Sequence, residues 1–179
     1  MNKIFILILF STFSFGQNKI LSIKEIDSIC LKKGKYAISE GTTKVQQNNK
    51  NIGSGGFSIS FYINHYNEEN YNNLSREEKR HYDIEKNSEL IKGEFSSGNV
   101  YNNGDIEKYK GHFYYYDSKL FFVKVNVLKK EKGIEQLEEF NLTENDIKEG
   151  KPFKNSLLFD VQSWVKEKNI EILQFYYKK

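Results

Sequence analysis

Apolar and polar residues alternate strictly in residues 57–63. The apolar positions are Phe57, Ile59, Phe61 and Ile63, and the positions between them are Ser58, Ser60 and Tyr62. A period of two places alternate side chains on opposite faces of a strand. The segment therefore predicts a β-strand with one face in a core and one face toward water.

Three further segments are predicted to be strands of the same sheet. Residues 89–100 form one candidate, interrupted near Ser97 and Gly98. An aromatic-rich segment, 111–116, and an alternating segment, 121–127, flank a turn at 117–119. A second turn at 102–105 reads Asn-Asn-Gly-Asp. Short turns between such segments indicate an antiparallel sheet.

Helices are predicted on both sides of these strands. Ser22 and Glu25 form a capping-box pattern before an apolar stripe, and Gly34 follows as a stop signal. Ser75 and Glu78 repeat the pattern in a highly charged segment, which predicts an exposed helix in a long connection.

The C-terminal region is predicted to contain a helix at 155–168 and a final strand at 170–177. The helix has one apolar stripe, formed by Leu157, Leu158, Val161, Trp164 and Val165. Trp164 should anchor this stripe against the strand at 57–63. The predicted fold is α+β: an antiparallel sheet of four to six strands with the N-terminal and C-terminal helices packed on one face.

The segment 40–56 is rich in Thr, Gln, Asn, Lys and Gly. Such residues bury little surface, so we expect a mobile loop or a loosely held edge hairpin. The glycines at 53, 55 and 56 lack the lysine and the helix of a phosphate-binding loop and indicate a flexible turn.

Residues 1–16 have the pattern of a cleavable signal peptide. Lys3 precedes an apolar run, and small residues at Ser14 and Gly16 suit cleavage before Gln17. The apolar run is too short for a transmembrane helix. We expect export to the periplasm or the exterior, and one α+β domain at 17–179 with no transmembrane segment after the signal is removed.

Charge and cysteine content restrict the partners further. The 27 basic and 24 acidic residues give a net charge of only +3, too little to attract nucleic acid. Cys30 is the single cysteine, so no intramolecular disulfide can form. Its place on the apolar stripe of the first helix favours a buried thiol over a dimer bridge.

No catalytic, metal or cofactor motif stands out. His65, His81 and His112 lie on different predicted elements and lack metal-ligand spacing. Glu40, Glu94, Asp105 and Asp117 could supply an acid and a base, but any chain this charged offers such pairs. We therefore expect no cofactor and no metal.

Aromatic residues are the one candidate binding feature. Tyr62, Tyr114, Tyr116 and Phe122 fall on strand positions opposite or beside the predicted core face. Rings on a wet sheet face could bind a peptide, a glycan or a protein. If a helix covers that face, the same rings belong to the core.

A short helix, a Gly-Gly strand at 55–63 and an aromatic hairpin at 113–123 follow the leader. This order, together with the Ser-Phe-Gly-Gln junction at 14–17, resembles uncharacterised small exported proteins of Gram-negative bacteria. The resemblance implies export and supplies no catalytic residue.

Two functions stay open from the sequence. The first is an exported, non-enzymatic binding or inhibitory module. The alternative is a small periplasmic or secreted hydrolase that uses carboxylate or histidine side chains. A cleft with histidine and carboxylate within hydrogen-bonding reach would favour the hydrolase.

Overall fold

A computed structural model describes residues 21–149 and 156–178 of the chain. The helices are α1 (Ile23–Lys33), α2 (Glu68–Asn73), α3 (Arg76–Arg80), α4 (Ile84–Asn87), α5 (Glu144–Glu149) and α6 (Ser156–Tyr177). The strands are β1 (Ala37–Gln47), β2 (Lys50–His65), β3 (Ser88–Tyr101), β4 (Ile106–Tyr116), β5 (Lys119–Glu131) and β6 (Ile134–Thr143). The predicted signal peptide lies outside the described residues.

The six strands form one antiparallel sheet in the order β1-β2-β3-β4-β5-β6. Three of its hairpins turn through residues with positive φ, at Asn48 and Asn49, at Asp117 and Ser118, and at Lys132 and Gly133. Asn, Asp and Gly tolerate this conformation, so turn chemistry fixes the register of neighbouring strands. The α+β class and the antiparallel sheet are confirmed.

Helix α1 begins and ends where the sequence predicts. The Ser22 hydroxyl accepts a hydrogen bond from the backbone N–H of Glu25, and the Glu25 carboxylate accepts one from the backbone N–H of Ser22. Gly34 ends the helix with a φ of 74°. Ile26 and Cys30 form its buried stripe. The buried position predicted for the thiol is confirmed.

Side chains of the sheet divide between two faces that pack against different helices. One face, the α6 face, holds Phe61, Phe113 and Val123 in a core with Val161 and Ile172 of α6. The opposite face, the α1 face, holds Tyr62, Ile91 and Tyr114 against Ile26 and Cys30 of α1. Trp164 packs against the first core, as predicted, but its ring contacts are with Phe95 of β3 and with Tyr109 and Phe113 of β4, and not with the rings of the predicted partner strand at 57–63.

The prediction that both helices share one face of the sheet is therefore wrong. Tyr62 and Tyr114 lie one residue out of phase with the apolar positions of their strands, and they form a second apolar patch. An apolar patch on each face of the sheet must be buried against another element. The N-terminal helix α1 packs on one face and the C-terminal helix α6 packs on the other.

The predicted final strand at 170–177 is also wrong, because α6 continues to Tyr177. Val161, Val165, Ile172 and Tyr176 are all buried and recur at spacings of four and seven, the period of a helix. No Gly or Pro interrupts this stretch. Helical packing against the sheet overrides the β-propensity of its branched and aromatic residues.

The segment 40–56 is an edge hairpin, the second of the two predicted alternatives, since β1 pairs with β2 from Ala37 to Gln47. The exposed helix predicted after Ser75 is confirmed as α3, with its capping box. Strand β6 was not predicted, and most of its exposed side chains are polar. Side chains at 157 and 158 lie outside the part of α6 whose packing is described.

Candidate functional site

Helix α1 covers only part of the α1 face. Beyond it the sheet carries a groove of about 790 Å³ that extends from β1 to β6. The open groove, as we call it, has a floor of Gly56, Ser58, Ser96 and Gly98. Its walls and rim include Val100, Lys108, Lys110, Asn126, Leu128 and Leu137.

Strand register explains the shape of this groove. Gly56 pairs with Gly98 across β2 and β3, and Ser58 pairs with Ser96. Two glycines and two serines on two adjacent strands leave the middle of the face low. Larger side chains on the outer strands stand higher, so the face is concave there.

Apolar side chains line the open groove beyond this floor. Val100 is 46% exposed and Leu137 is 73% exposed, while Leu128 lies between them on β5 and is partly buried. Isolated exposed apolar residues are common, but several apolar side chains that line one concavity are typical of a binding site.

Two lysines of β4 border the floor of the groove. Lys110 pairs with Ser96, and Lys108 pairs with Gly98, so both side chains project on the α1 face. Neither ammonium group has an ion-pair partner within residues 21–149 and 156–178, and both side chains are exposed. Lys124 on β5, by contrast, is bound to Glu139 at 3.0 Å.

A charged recess of about 490 Å³ lies between the open groove and α1, and Asn126 lines both. Lys92 is its central cation. Its Nζ lies 2.8 Å from Oδ1 of Asp27 on α1, and 5.7 Å and 5.2 Å from the ring centroids of Tyr62 and Tyr114. Two aromatic faces and the carboxylates of Asp27 and Glu94 thus stabilise a nearly buried ammonium group.

Glu94 is the anion of the recess. Its carboxylate lies 3.2 Å from Nδ1 of His112, 3.3 Å from Nζ of Lys35 and 3.5 Å from Nζ of Lys92. Burial by itself would raise the pKa of Glu94, but the hydrogen bond from His112 and the nearby positive charges outweigh it and lower the pKa to about 2. Glu94 is therefore ionised at neutral pH and cannot serve as a general acid.

Cys30 also lines the charged recess. Burial is the largest influence on the thiol and raises its pKa to about 12, despite the opposing charge of Lys92. A thiol must lose its proton to act as a nucleophile. Cys30 therefore contributes packing to α1 and not reactivity.

The predicted aromatic site residues fall at the α1 end of this face. Tyr62 and Tyr114 are buried beneath α1, and Phe122 packs against the same cluster with its ring 5.9 Å from that of Tyr114. Burial raises the pKa of both tyrosines to about 12. Tyr116 lies at the end of β4, opposite Lys119 across the tight turn.

The structure thus brings together three of the four predicted rings, but beneath α1, where Tyr62 and Tyr114 line the charged recess, and none of the four lines the open groove. The groove itself was not predicted, because the glycines at 53–56 were interpreted as a flexible turn. The sequence did contain one indication of the groove. Ser96, Gly98 and Val100 alternate along a predicted strand, which places small and apolar residues on one face of the sheet.

A second, more polar recess of about 790 Å³ lies beside the end of β2. His65 stacks on Tyr71 with a centroid distance of 3.8 Å, and Tyr82 lies 3.3 Å from its Nδ1. Burial lowers the pKa of His65. Lys33, which also lines this recess, is already bound to Glu68 at 2.8 Å, so its charge is satisfied within the protein.

No group of three or more His, Cys, Asp or Glu side chains within the described ranges is arranged to hold a metal ion. In the same ranges, no helix has both the length and the apolar content needed to span a membrane. Comparison of the chain with known protein families, with curated proteins and with solved structures finds no match.

Proposed function

We propose that this protein is an exported, non-enzymatic binding module and that the open groove is its binding site. The observation that carries the proposal is a concavity of about 790 Å³ on a sheet face that α1 leaves uncovered. Pockets for small molecules in proteins measure about 300 to 1,000 Å³. The groove therefore has the volume of a ligand site.

The chemistry of the groove supports binding of a partly apolar ligand. Small residues form its floor, and the exposed side chains of Val100 and Leu137 border it. Contact with an apolar ligand would remove this surface from water, which is favourable by roughly 25 cal/mol per Å². The groove offers the ligand a preformed surface, because its floor belongs to paired central strands.

A neutral fluorescent probe, N-phenyl-1-naphthylamine, tests this proposal. We expect saturable binding to the wild-type protein and loss of most of that binding in Ser96→Leu, where the new side chain would fill the floor. Ser163→Leu on the exposed side of α6 adds the same group on the opposite face of the sheet and should bind like wild type.

Circular dichroism of both variants establishes that each is folded. If Ser96→Leu is folded and binds the probe as tightly as wild type, the open groove is not the site. The proposal would also be overturned if the probe failed to bind the wild-type protein in a saturable way.

Export is the second element of this proposal. The charged, apolar and small-residue order at 1–16 supports cleavage before Gln17. Mass spectrometry of the protein recovered from the periplasm or the medium should give a chain beginning at Gln17. A recovered chain beginning at Met1 would contradict it.

A hydrolase is the second candidate, and one contact favours it. His112 lies 3.2 Å from Glu94 in the charged recess, and a carboxylate can orient an imidazole as a general base. The thiol nearest to this pair is Cys30, whose raised pKa of about 12 excludes it as a nucleophile at neutral pH. We therefore place the hydrolase second.

Hydrolysis of p-nitrophenyl acetate compares the two candidates. A hydrolase would lose its activity in His112→Gln and keep it in His81→Gln, a matched change at an exposed histidine after α3. A binding module would give background rates for the wild type and for both variants.

A further inference from the structure

Building on the proposed function, we propose that the ligand of the open groove is a single-chain amphiphile with an anionic head, in the form of a free long-chain carboxylate. The hydrocarbon chain lies across the small-residue floor. The carboxylate binds to the ammonium groups of Lys108 and Lys110.

Charge complementarity supports the anionic head. Lys108 and Lys110 lie two positions apart on β4, so their Cα atoms are about 7 Å apart on one face. Neither makes an ion pair within the described ranges, while Lys92 and Lys124 of the same face are both bound to carboxylates. A carboxylate between these two ammonium groups would meet charge that the protein leaves uncompensated.

The acidic residue that lines the groove lies on β1, across the small-residue floor from the two lysines. Glu40 lines the groove from β1 and is paired with Ser58 of β2. Three strand spacings separate β1 from β4, a distance of roughly 14 Å. Repulsion by Glu40 therefore directs an anionic head toward β4.

The backbone of the floor favours a hydrocarbon chain over a peptide. Gly56 and Gly98 belong to central strands whose backbone groups pair with the neighbouring strands. A peptide lying across this floor would bury its own N–H and C=O groups without backbone partners, which is costly. A hydrocarbon chain has no such groups.

Length gives a further constraint. The groove extends from Thr42 of β1 to Leu137 of β6. Five strand spacings of about 4.8 Å make it roughly 24 Å wide. With the carboxylate at Lys108 and Lys110 on β4, the hydrocarbon chain has the three strand spacings back to β1, roughly 14 Å, to lie across.

Calorimetry with three ligands of equal chain length tests the inference: dodecanoate, dodecanol and dodecyltrimethylammonium, each below its micellar concentration. We expect dodecanoate to bind roughly three- to tenfold more tightly than dodecanol, the effect of one or two exposed charge pairs. Dodecyltrimethylammonium should bind most weakly.

The double variant K108E/K110E should reverse this order, with dodecyltrimethylammonium now the tightest of the three. K166E/K178E changes the net charge equally, on α6 and just after it, and should keep the wild-type order. Circular dichroism confirms that both double variants are folded.

Two results would overturn the inference and leave the proposed function standing. One is equal affinity for all three ligands in wild type and in K108E/K110E, with probe binding still lost in Ser96→Leu. The other is binding to phosphatidylglycerol vesicles without binding of monomeric dodecanoate, which would indicate a membrane surface as the partner. Failure of the proposed function itself would appear as retained probe binding in folded Ser96→Leu.

Discussion

The indole ring of Trp164 lies on the bare backbone of Gly111. A methyl group at Gly111 would come within 2.9 Å of Cζ3 of Trp164, closer than two carbons can approach. The absence of a side chain at Gly111 therefore allows the indole of α6 to contact β4 this closely. The ring also stacks on Tyr109, at a centroid distance of 5.4 Å, and meets the edge of Phe95 at 5.9 Å.

Trp164→Ala should lower the free energy of unfolding by about 3 to 5 kcal/mol, because it leaves a cavity where the ring now contacts Phe95, Tyr109 and Phe113. Urea denaturation followed by circular dichroism measures this loss. The matched control is Ile170→Ala on the same helix, where the side chain is 55% exposed and the loss should be small. Equal midpoints for wild type and Trp164→Ala would contradict the assignment.

Gly93→Ala should destabilise the protein by about 1 to 3 kcal/mol through overpacking. The new methyl carbon would lie 2.6 Å from Cγ2 of Ile172 on α6. A double-mutant cycle with Ile172→Ala isolates this contact, since Ala lacks the clashing carbons. We expect Gly93→Ala to cost less in the Ile172→Ala background. The same cost in both backgrounds would show that the strain comes from elsewhere.

Cys30→Ser should cost about 1 to 3 kcal/mol, because it buries a hydroxyl in an apolar contact. Cys30 is 6% exposed and packs with Ile26 against the sheet. Burial and the pKa of about 12 predict that the native thiol reacts with a disulfide reagent only after denaturant is added. Rapid labelling of the folded protein would contradict the buried position.

Acid should destabilise the protein partly through Glu94. Folding lowers the pKa of this carboxyl from 4.5 to about 2, so its stabilisation is complete above about pH 4.5 and is lost as the pH falls toward 2. Glu94→Gln should be less stable at pH 7 and should show a flatter decline of unfolding free energy between pH 5 and pH 2.

The matched control is Glu77→Gln on α3. Its side chain is exposed and makes no ion pair within the described residues. Its acid profile should follow that of wild type. An unchanged slope in Glu94→Gln would show that the charged recess does not control the acid stability of the fold.

Local patterns determined most of the secondary structure. The capping box of Ser22 and Glu25 and the glycine at 34 define α1, and the alternation at 57–63 defines the central part of β2. These signals depend on residues close together in the chain, so the sequence displays them directly. The strand predicted at 170–177 was wrong because branched and aromatic side chains are common both in strands and in buried helices.

Tertiary structure alone decided which side chains meet. Lys92, Glu94 and His112 come from β3 and β4, and Asp27 comes from α1, so only strand register and helix docking make them a charged recess. The open groove exists because Gly56 pairs with Gly98 and because α1 covers only one end of that face. Pairing between distant segments depends on the summed packing of the whole sheet, and no local pattern in this chain encodes it.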